Sequence, residues 1–461
     1  MTRSKFSAAC AVIALAAAAG SAVRAAAPSN LRVLYADGLS LNNPAPDQAA
    51  SDSLMQTQMR ERGWGGSWLE QYDLKLTGYV EGGWNFNFVR PNGGTNGTGR
   101  LFDDKSDDPK LNQLSIQLLR KAAPSPDQFD TGFDVQVIYG ADARYTQANG
   151  TNFYGSGFAG VRGFQFLPFN NGQPSPVVDE IRFPGQEFPE NQIDILQANV
   201  SFNVPVGNGM MVKAGKFVTP WGVESVDPTK NVLYSHSYIF SLATPKTLTG
   251  VTAAYQIDDR WGVMGGIVVG WDQSLEDNND FPSFLAQSTY KLDNDWSFVL
   301  TGIFGPEQND NRSNYRSMLD LTMKWDASDD ITVAVEAIFG YEPDTSFNRG
   351  RIFTNSPLLT FTGDDSTWAA VAGYVQYKWD EMFTFAVRGE MFADGDGNWL
   401  IGTEVYSISG GMIIRPFPNH DVGRNLMIRP EVRYDYSNDF LFDNLRQEWQ
   451  VTVGADVIFS F

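Results

Sequence analysis

The residues of this chain with the most chemical potential are two histidines, a pair of serines and a short acidic run. Ser235-His236-Ser237 sets hydroxyls beside an imidazole, the pairing of a nucleophile with its base. Neighbours in sequence seldom face each other productively, and no third group orients the ring, so hydrogen bonding within a loop is the expected role. His420, the other histidine, falls in a different connection, and no metal or catalytic cluster is expected from the two. Asp394-Gly-Asp-Gly-Asn398 resembles the start of a calcium loop, but its sixth position is Trp399 instead of glycine and its twelfth is Val405 instead of glutamate. A looser divalent site bridging lipopolysaccharide phosphates is all that survives of that reading. The sequence therefore points to no cofactor and no catalytic residue.

The charges that do form a pattern sit in alternating stretches. The chain ends in QVTVGADVIFSF (450–461), with Val451, Val453, Ala455, Val457, Phe459 and Phe461 on one parity. Successive side chains of a strand point to opposite faces, so one face of this segment is apolar and the other mostly polar. The pattern recurs in sixteen segments, near 74–89, 111–120, 132–146, 192–204, 210–218, 247–257, 260–271, 284–292, 295–304, 315–326, 330–341, 367–379, 382–392, 401–415, 425–436 and 447–461. The connections alternate between tight, Asp-rich turns and long stretches rich in Asn, Gly, Asp and Pro. Aromatic residues gather at strand ends: Trp261, Trp296 and Trp379 at one end, Trp84, Trp271, Phe392 and Trp449 toward the other.

Bulk properties narrow what these strands can be. The 461 residues carry a formal charge of −20, which disfavours nucleic acid as a partner because phosphates call for basic patches. Residues 1–27 read as a signal peptide, with Arg3 and Lys5 ahead of an apolar run too short to span a bilayer. Its removal leaves the rest at −23 and takes away Cys10, the one cysteine. No later stretch approaches eighteen consecutive apolar residues, so helical spans are not expected. Sorted loop lengths and two aromatic girdles instead predict an all-β fold: a transmembrane antiparallel up-and-down β-barrel of about sixteen strands, with short periplasmic turns and long extracellular loops. Hydrocarbon forces such a sheet to close, and sixteen strands leave an aqueous lumen. Residues 28–70 are irregular, with one short helix in LMQTQMRERGW, and lie in the periplasm or the lumen; 71–461 form the barrel.

KAGKFVTPWGVE (213–224), YSHSYIFSLATPKTLTGVTAAYQI (234–257), WGVMGGIVVGWDQSLEDNND (261–280) and RPEVRYDYS (429–437) resemble the OmpL-like beta-barrel porins. The resemblance covers roughly residues 70–461. It implies an outer-membrane barrel with pore activity and no enzymatic site, and it carries no ligand residues. The terminal Phe461 is similar to the last-residue aromatic by which the barrel assembly machinery recognises its clients. By analogy with such barrels, a homotrimer embedded among outer-membrane lipid and lipopolysaccharide is expected.

One connection stands out. VLYSHSYIFSLATP, within 219–246, is too apolar for an open loop in water, so this loop is expected to fold into the barrel and narrow it. Glu224, Asp227, Lys230 and Tyr238 would form the constriction. Arg388, Glu390, Arg415, Arg429, Glu431, Arg433 and Asp435 would line the pore, and opposed charges would set up a transverse field. The expected activity is passive diffusion of small hydrophilic solutes and ions. The alternatives are a substrate-specific or plugged transporter and a non-conducting structural or adhesion barrel.

Overall fold

The computed structural model describes residues 53–64, 66–89, 94–96, 99–151, 189–345, 364–394, 401–443 and 446–461. Sixteen antiparallel strands close into one barrel. The first half of the wall is β1 (Lys75–Asn87), β4 (Lys110–Arg120), β5 (Asp130–Gly140), β6 (Gln192–Val204), β7 (Met210–Val218), β8 (Thr247–Gln256), β9 (Trp261–Val268) and β10 (Ser283–Lys291). The second half is β11 (Trp296–Pro306), β12 (Tyr315–Asp326), β13 (Ile331–Thr345), β14 (Asp364–Lys378), β15 (Phe383–Ala393), β16 (Glu404–Ile414), β17 (Leu426–Ser437) and β18 (Trp449–Ser460). A ribbon of β2 (Gly94–Thr95) and β3 (Lys105–Ser106) belongs to the first long loop. Closure is made by β1 against β18, in register from Tyr79 opposite Ser460 to Asn87 opposite Thr452.

The tight turns share one device. Asp258, Asp293 and Asp380 each accept two backbone N–H groups, from residues two and three positions on, and Ser328 Oγ does the same. A short side-chain acceptor thereby satisfies the donors that a tight turn leaves over, which is why these turns are rich in aspartate. All of them lie at one end of the barrel, and the long loops lie at the other.

The faces are inverted relative to a water-soluble sheet. Val251, Ile267, Leu300, Leu319, Val387 and Val432 are exposed on the outside, while Gln287, Thr301, Asp320, Arg388 and Asp456 are buried on the inside. The apolar parity of 449–461 faces out, as its alternation predicts. Two aromatics expected in the outer girdle turn inward: Phe392 shares the inward parity of Arg388 and Glu390, and Trp271, beyond the end of β9, stacks edge-on against Trp368. The segment read as 132–146 also stops early. β5 ends at Gly140 and a 3-10 turn, Ala141–Tyr145, follows, its Asp142 drawn inward by the side-chain amides of Asn112 and Gln113.

Two short helices, α1 (Leu54–Glu61) and α2 (Gly66–Gln71), precede the barrel. The first residues of β1 run past the end of β18, so on that side the backbone around Leu74 and Leu76 has no neighbouring strand. Ser53 and Gln56 cap it: the serine hydroxyl donates to Leu76 O, the glutamine amide donates to Leu74 O at 3.2 Å, and the glutamine carbonyl accepts from Leu76 N. An open strand edge invites wrong pairing, and this one is covered. Residues 1–52, including the segment read as a signal peptide, lie outside the described residues.

If the outward parity meets lipid, Leu300→Arg in protein refolded into vesicles should cost about 2–4 kcal/mol in a urea titration. Leu300→Ala should cost distinctly less. Equal costs would mean that this face meets protein or water.

Candidate pore constriction

Residues 219–246 leave the wall after β7 and rejoin it at β8. Between these points they cross the lumen to β15, β16 and β17, the strands on the opposite side of the ring. Local chemistry gives the segment its shape. Asp227 caps the 3-10 turn Pro228–Lys230 by accepting from Thr229 N, and the Asn231 side chain clasps Ser225 on both its N–H and its carbonyl. Ile239–Ala243 form a single π-helical turn, started by the bond from Phe240 N to Ser237 Oγ. The apolar side chains then have only the interior to occupy: Leu233, Tyr238, Ile239, Leu242 and Ala243 are all buried. Two wall glycines make room for them. A Cβ on Gly411 would stand 2.8 Å from Leu233 Cδ2, and one on Gly83 would collide with the Tyr234 phenol.

The tip of the loop is held by charge. Arg388 on β15 donates to Glu224 Oε1 and to Ser235 O, each at 2.7 Å. Arg433 on β17 donates to His236 O at 2.6 Å and pairs with Asp435 and Glu390. Arg429 donates to Pro228 O and Asn231 O at 2.9 and 2.8 Å while holding Asp456 of β18. The carboxylates grip the loop from the other side. Glu390 accepts Tyr238 N at 2.6 Å, Glu431 accepts Ser235 N at 2.8 Å as well as the Ser235 hydroxyl, and Glu336 on β13 accepts Val223 N at 3.0 Å. The first long loop joins in, with Arg100 bonded to Asp103 and reaching Asp435 at 2.8 Å. Phe102 from the same loop stacks on His236, and His236 on Phe240.

Several expected site residues are thus brought together, but in a different role. Arg388, Glu390, Arg429, Glu431, Arg433 and Asp435 form one network under the loop and are buried, so they anchor it and do not line open water. Glu224 meets Arg388 as expected. Among the described residues Asp227 pairs with no arginine: capping the 3-10 turn occupies its carboxylate, and Lys230 ends the same turn, half-exposed. Tyr238 is fully buried beneath the Arg433 guanidinium, 4.8 Å from the ring centroid. Arg415 lies just past the end of β16 at the tight-turn end, away from the network. The loop enters the lumen as expected, and the first long loop joins it, both burying apolar and charged side chains there.

Glu336 and Asp456 stand on the inward parity of their strands, where the alternation places them; Arg100 was not anticipated, and nothing in its surroundings marks it. The Ser-His-Ser stretch is not a nucleophilic pair. Ser235 Oγ is bonded to Glu431, Arg388 and Arg433, whereas the His236 ring points to Asn231 and Ser225 O. His420 is exposed in the turn at the other end. Asp394 accepts Ile401 N and Gly402 N, and residues 395–400, the rest of the acidic run, lie outside the described residues. Phe461 exchanges both backbone hydrogen bonds with Gly78, its ring lying on the outer face over that glycine.

The family model described as "Putative beta-barrel porin-2, OmpL-like" matches residues 73–461. No curated protein matches the chain. Among solved structures, the outer membrane channel DcaP of Acinetobacter baumannii is similar at 14% identity, with a TM-score of 0.49, over 84% of this chain and 97% of that one. The anion-selective porin from Comamonas acidovorans is similar at 8% identity and a TM-score of 0.47, over 84% and 99%. OmpT of Vibrio cholerae, in a trimer form, is similar at 9% identity and a TM-score of 0.44, over 84% and 99%.

Two predictions test the anchoring network. Arg388→Gln leaves Glu224 without its strongest partner, so loss of about 3–5 kcal/mol is expected, with tryptic cleavage at Lys230 as the local readout. Adding Glu224→Gln should restore much of the loss, and simple additivity would argue against a coupled pair. Acid should loosen the loop as well. Burial pushes the His236 imidazole down to about 4, with Arg388 and Arg429 adding to the push against Glu224. The seated loop therefore favours neutral imidazole, a contribution complete above about pH 6.5 and lost as pH falls toward 4. Burial opposes ionisation of Glu224, but Arg388, His236 and the Ser237 N–H outweigh it and lower its pKa, so its contribution fades at still lower pH. Proteolysis of the loop should rise on acidification, and His236→Asn should remove the upper part of that dependence.

Proposed function

Because the chain belongs to the OmpL-like family of beta-barrel porins, we propose that it is a constricted outer-membrane porin passing small hydrophilic solutes and ions by diffusion, with residues 219–246 setting the bore. One observation carries the constriction: the loop crosses the lumen and is hydrogen-bonded to the strands opposite its roots. A segment pinned at both sides cannot be swept aside by thermal motion of the loop alone, so the free cross-section at this height is small. Secretion through a signal peptide in 1–27, a barrel over 71–461 and assembly as a homotrimer complete the reading. The outward, half-exposed Phe461 is compatible with capture by the assembly machinery before the barrel closes.

Burial of Arg388, Arg429 and Arg433 favours a second reading, in which the loop is a plug and the barrel a specific transporter that opens only when the plug shifts.

Planar-bilayer recordings of the refolded mature protein separate the two. Steady steps well under a nanosiemens in ~1 M salt, enlarged several-fold by deleting 226–240, support the constricted porin, since a sixteen-stranded lumen is wide once emptied. Current only after the deletion supports the plug. Silence from both proteins, with a heat-modifiable barrel on a gel, would remove the channel reading and leave a structural barrel.

A further inference from the structure

We infer that Trp64, Trp68 and Tyr72, carried by α2 and the turns on either side of it, anchor the closing seam to the phospholipid headgroups of the periplasmic leaflet.

These rings face out of a stretch that is otherwise well packed. Trp64 is 65% exposed, Trp68 53% and Tyr72 52%, while Gly66 and Leu69 between them are buried. Trp68 and Tyr72 stand one helical turn apart with ring centroids at 5.4 Å, and the Arg62 guanidinium lies 5.2 Å from the Trp64 ring. Single apolar residues on a surface are ordinary, but large rings gathered together mark an interaction site. The helices that carry them are fixed in place. Arg60 pairs with Glu70, and a Cβ on Gly66 would stand 2.5 Å from Arg60 N, so α1 and α2 are locked together. Ser53 and Gln56 tie α1 to Leu76 and Leu74, and Leu74 N donates to Leu69 O at 2.8 Å.

Their position on the ring says what they meet. At the tight-turn end, outward Trp and Tyr rings occupy the half of the wall from β8 to β15: Trp261 beside Tyr290, Trp296 stacked on Trp325, Tyr377 beside Trp379. From β16 round through the seam to β7 the strands carry none at that end. Near the seam the outward residues there are Leu426, Ile428, Val457, Phe459, Leu76 and Leu118. The rings of 64–72 stand close to the middle of this gap, because α1 is tied to the start of β1 just beyond the end of β18. They supply at the seam what the strands do not. The same sector keeps its girdle at the other end, where Trp84, Tyr139, Tyr436 and Trp449 are exposed, so its outer face meets a bilayer and the missing rings are not explained by a partner covering the wall. Trp and Tyr favour the headgroup level because each joins an apolar body to a polar tip.

The charges of the stretch cancel, Arg60, Arg62 and Lys75 against Glu61, Glu70 and Asp73. The rings, and not net charge, hold it to the membrane, so salt should not release it.

A reporter beside the rings, removing none of them, tests this. Without residues 1–27 the chain has no cysteine, so Gln71→Cys, Trp379→Cys and Asp329→Cys each give one label site, at the anchor, in the girdle and in an exposed tight turn. The full mature protein is refolded into phosphatidylcholine nanodiscs, which leave both faces open to water, and labelled with a fluorophore. The label at 71 should match that at 379: quenched by a headgroup-level nitroxide lipid, and several-fold less open to iodide than at 329, in low and high salt alike. Adding Trp64→Ser, Trp68→Ser and Tyr72→Ser should raise iodide access at 71 toward that at 329. Equal iodide quenching at 71 and 329 would overturn the inference, since the helices would stand in water. Shielding from iodide and nitroxide lipid together would overturn it too, since residues 28–52 or a second copy would then cover the rings. Shielding that survives the triple substitution, or that high salt abolishes, would do the same. None of these outcomes depends on whether the barrel conducts.

Discussion

The pairing of β1 with β18 is the constraint from which the rest follows. Hydrocarbon offers no partner for a backbone N–H or C=O, so a sheet in a membrane has no tolerable edge. Nine consecutive residue pairs, Tyr79–Asn87 against Thr452–Ser460, bring the two ends of the chain together. Beyond them Phe461 bonds to Gly78, and Ser53 and Gln56 cover the last open carbonyls and N–H at the start of β1. The closing seam therefore depends on the final residue and on a helix that precedes the barrel. Its completion also decides which face of every strand is inside, because the side-chain period is two and register fixes parity all round the ring.

Once the outside is apolar, every charge on the wall must be accommodated within. Arg388 on β15 and Arg429 and Arg433 on β17 face inward on strands separated only by β16 and would repel one another. Water could solvate them in an open lumen. Here the crossing loop replaces water with backbone carbonyls from Pro228, Asn231, Ser235 and His236, and the wall supplies Glu390, Asp435 and Asp456. Removing charge from water is costly unless all its donors find partners. The loop and the arginines consequently depend on each other: without the loop the arginines lose their acceptors, and without the arginines the loop carbonyls are left buried and unpaired.

This division explains how much was legible in the sequence. All sixteen strands could be read, with boundaries within about four residues except at the end of β5, because a wall facing lipid on one side imposes a strict alternation on every segment. The inward folding of 219–246 was legible from its apolar run. The roles of its partners were not. Parity places Arg388, Glu390 and Arg433 inside, but whether an inward charge faces water or a loop depends on what crosses at its height, and that is a relation between segments more than 150 residues apart. Asp227 shows the same limit from the other direction, since an aspartate ahead of Pro-Thr can serve a turn as readily as an ion pair. Trp271 was misread because girdle aromatics and interior aromatics differ only in the direction the chain takes after the strand ends.

Length also limits which loop can span the lumen. With strands about 4.8 Å apart and tilted, sixteen of them enclose a ring roughly 30 Å across. A loop that crosses and returns must have enough chain for both journeys at about 3.3 Å per residue. The connection at 269–282 is too short for that, as are those at 307–314, 394–403 and 438–448. The segment 219–246 has ample chain, which is why it can spare residues for a 3-10 turn and a π-helical turn and still reach β17. The first long loop, 88–109, has less to spare, and the residues it sends in, Arg100 and Phe102 among them, come from close to its own roots beside β18. Composition then selects among the loops that are long enough: one with Leu233, Tyr238, Ile239 and Leu242 loses by staying in water and gains by leaving it, provided the wall supplies partners for its backbone.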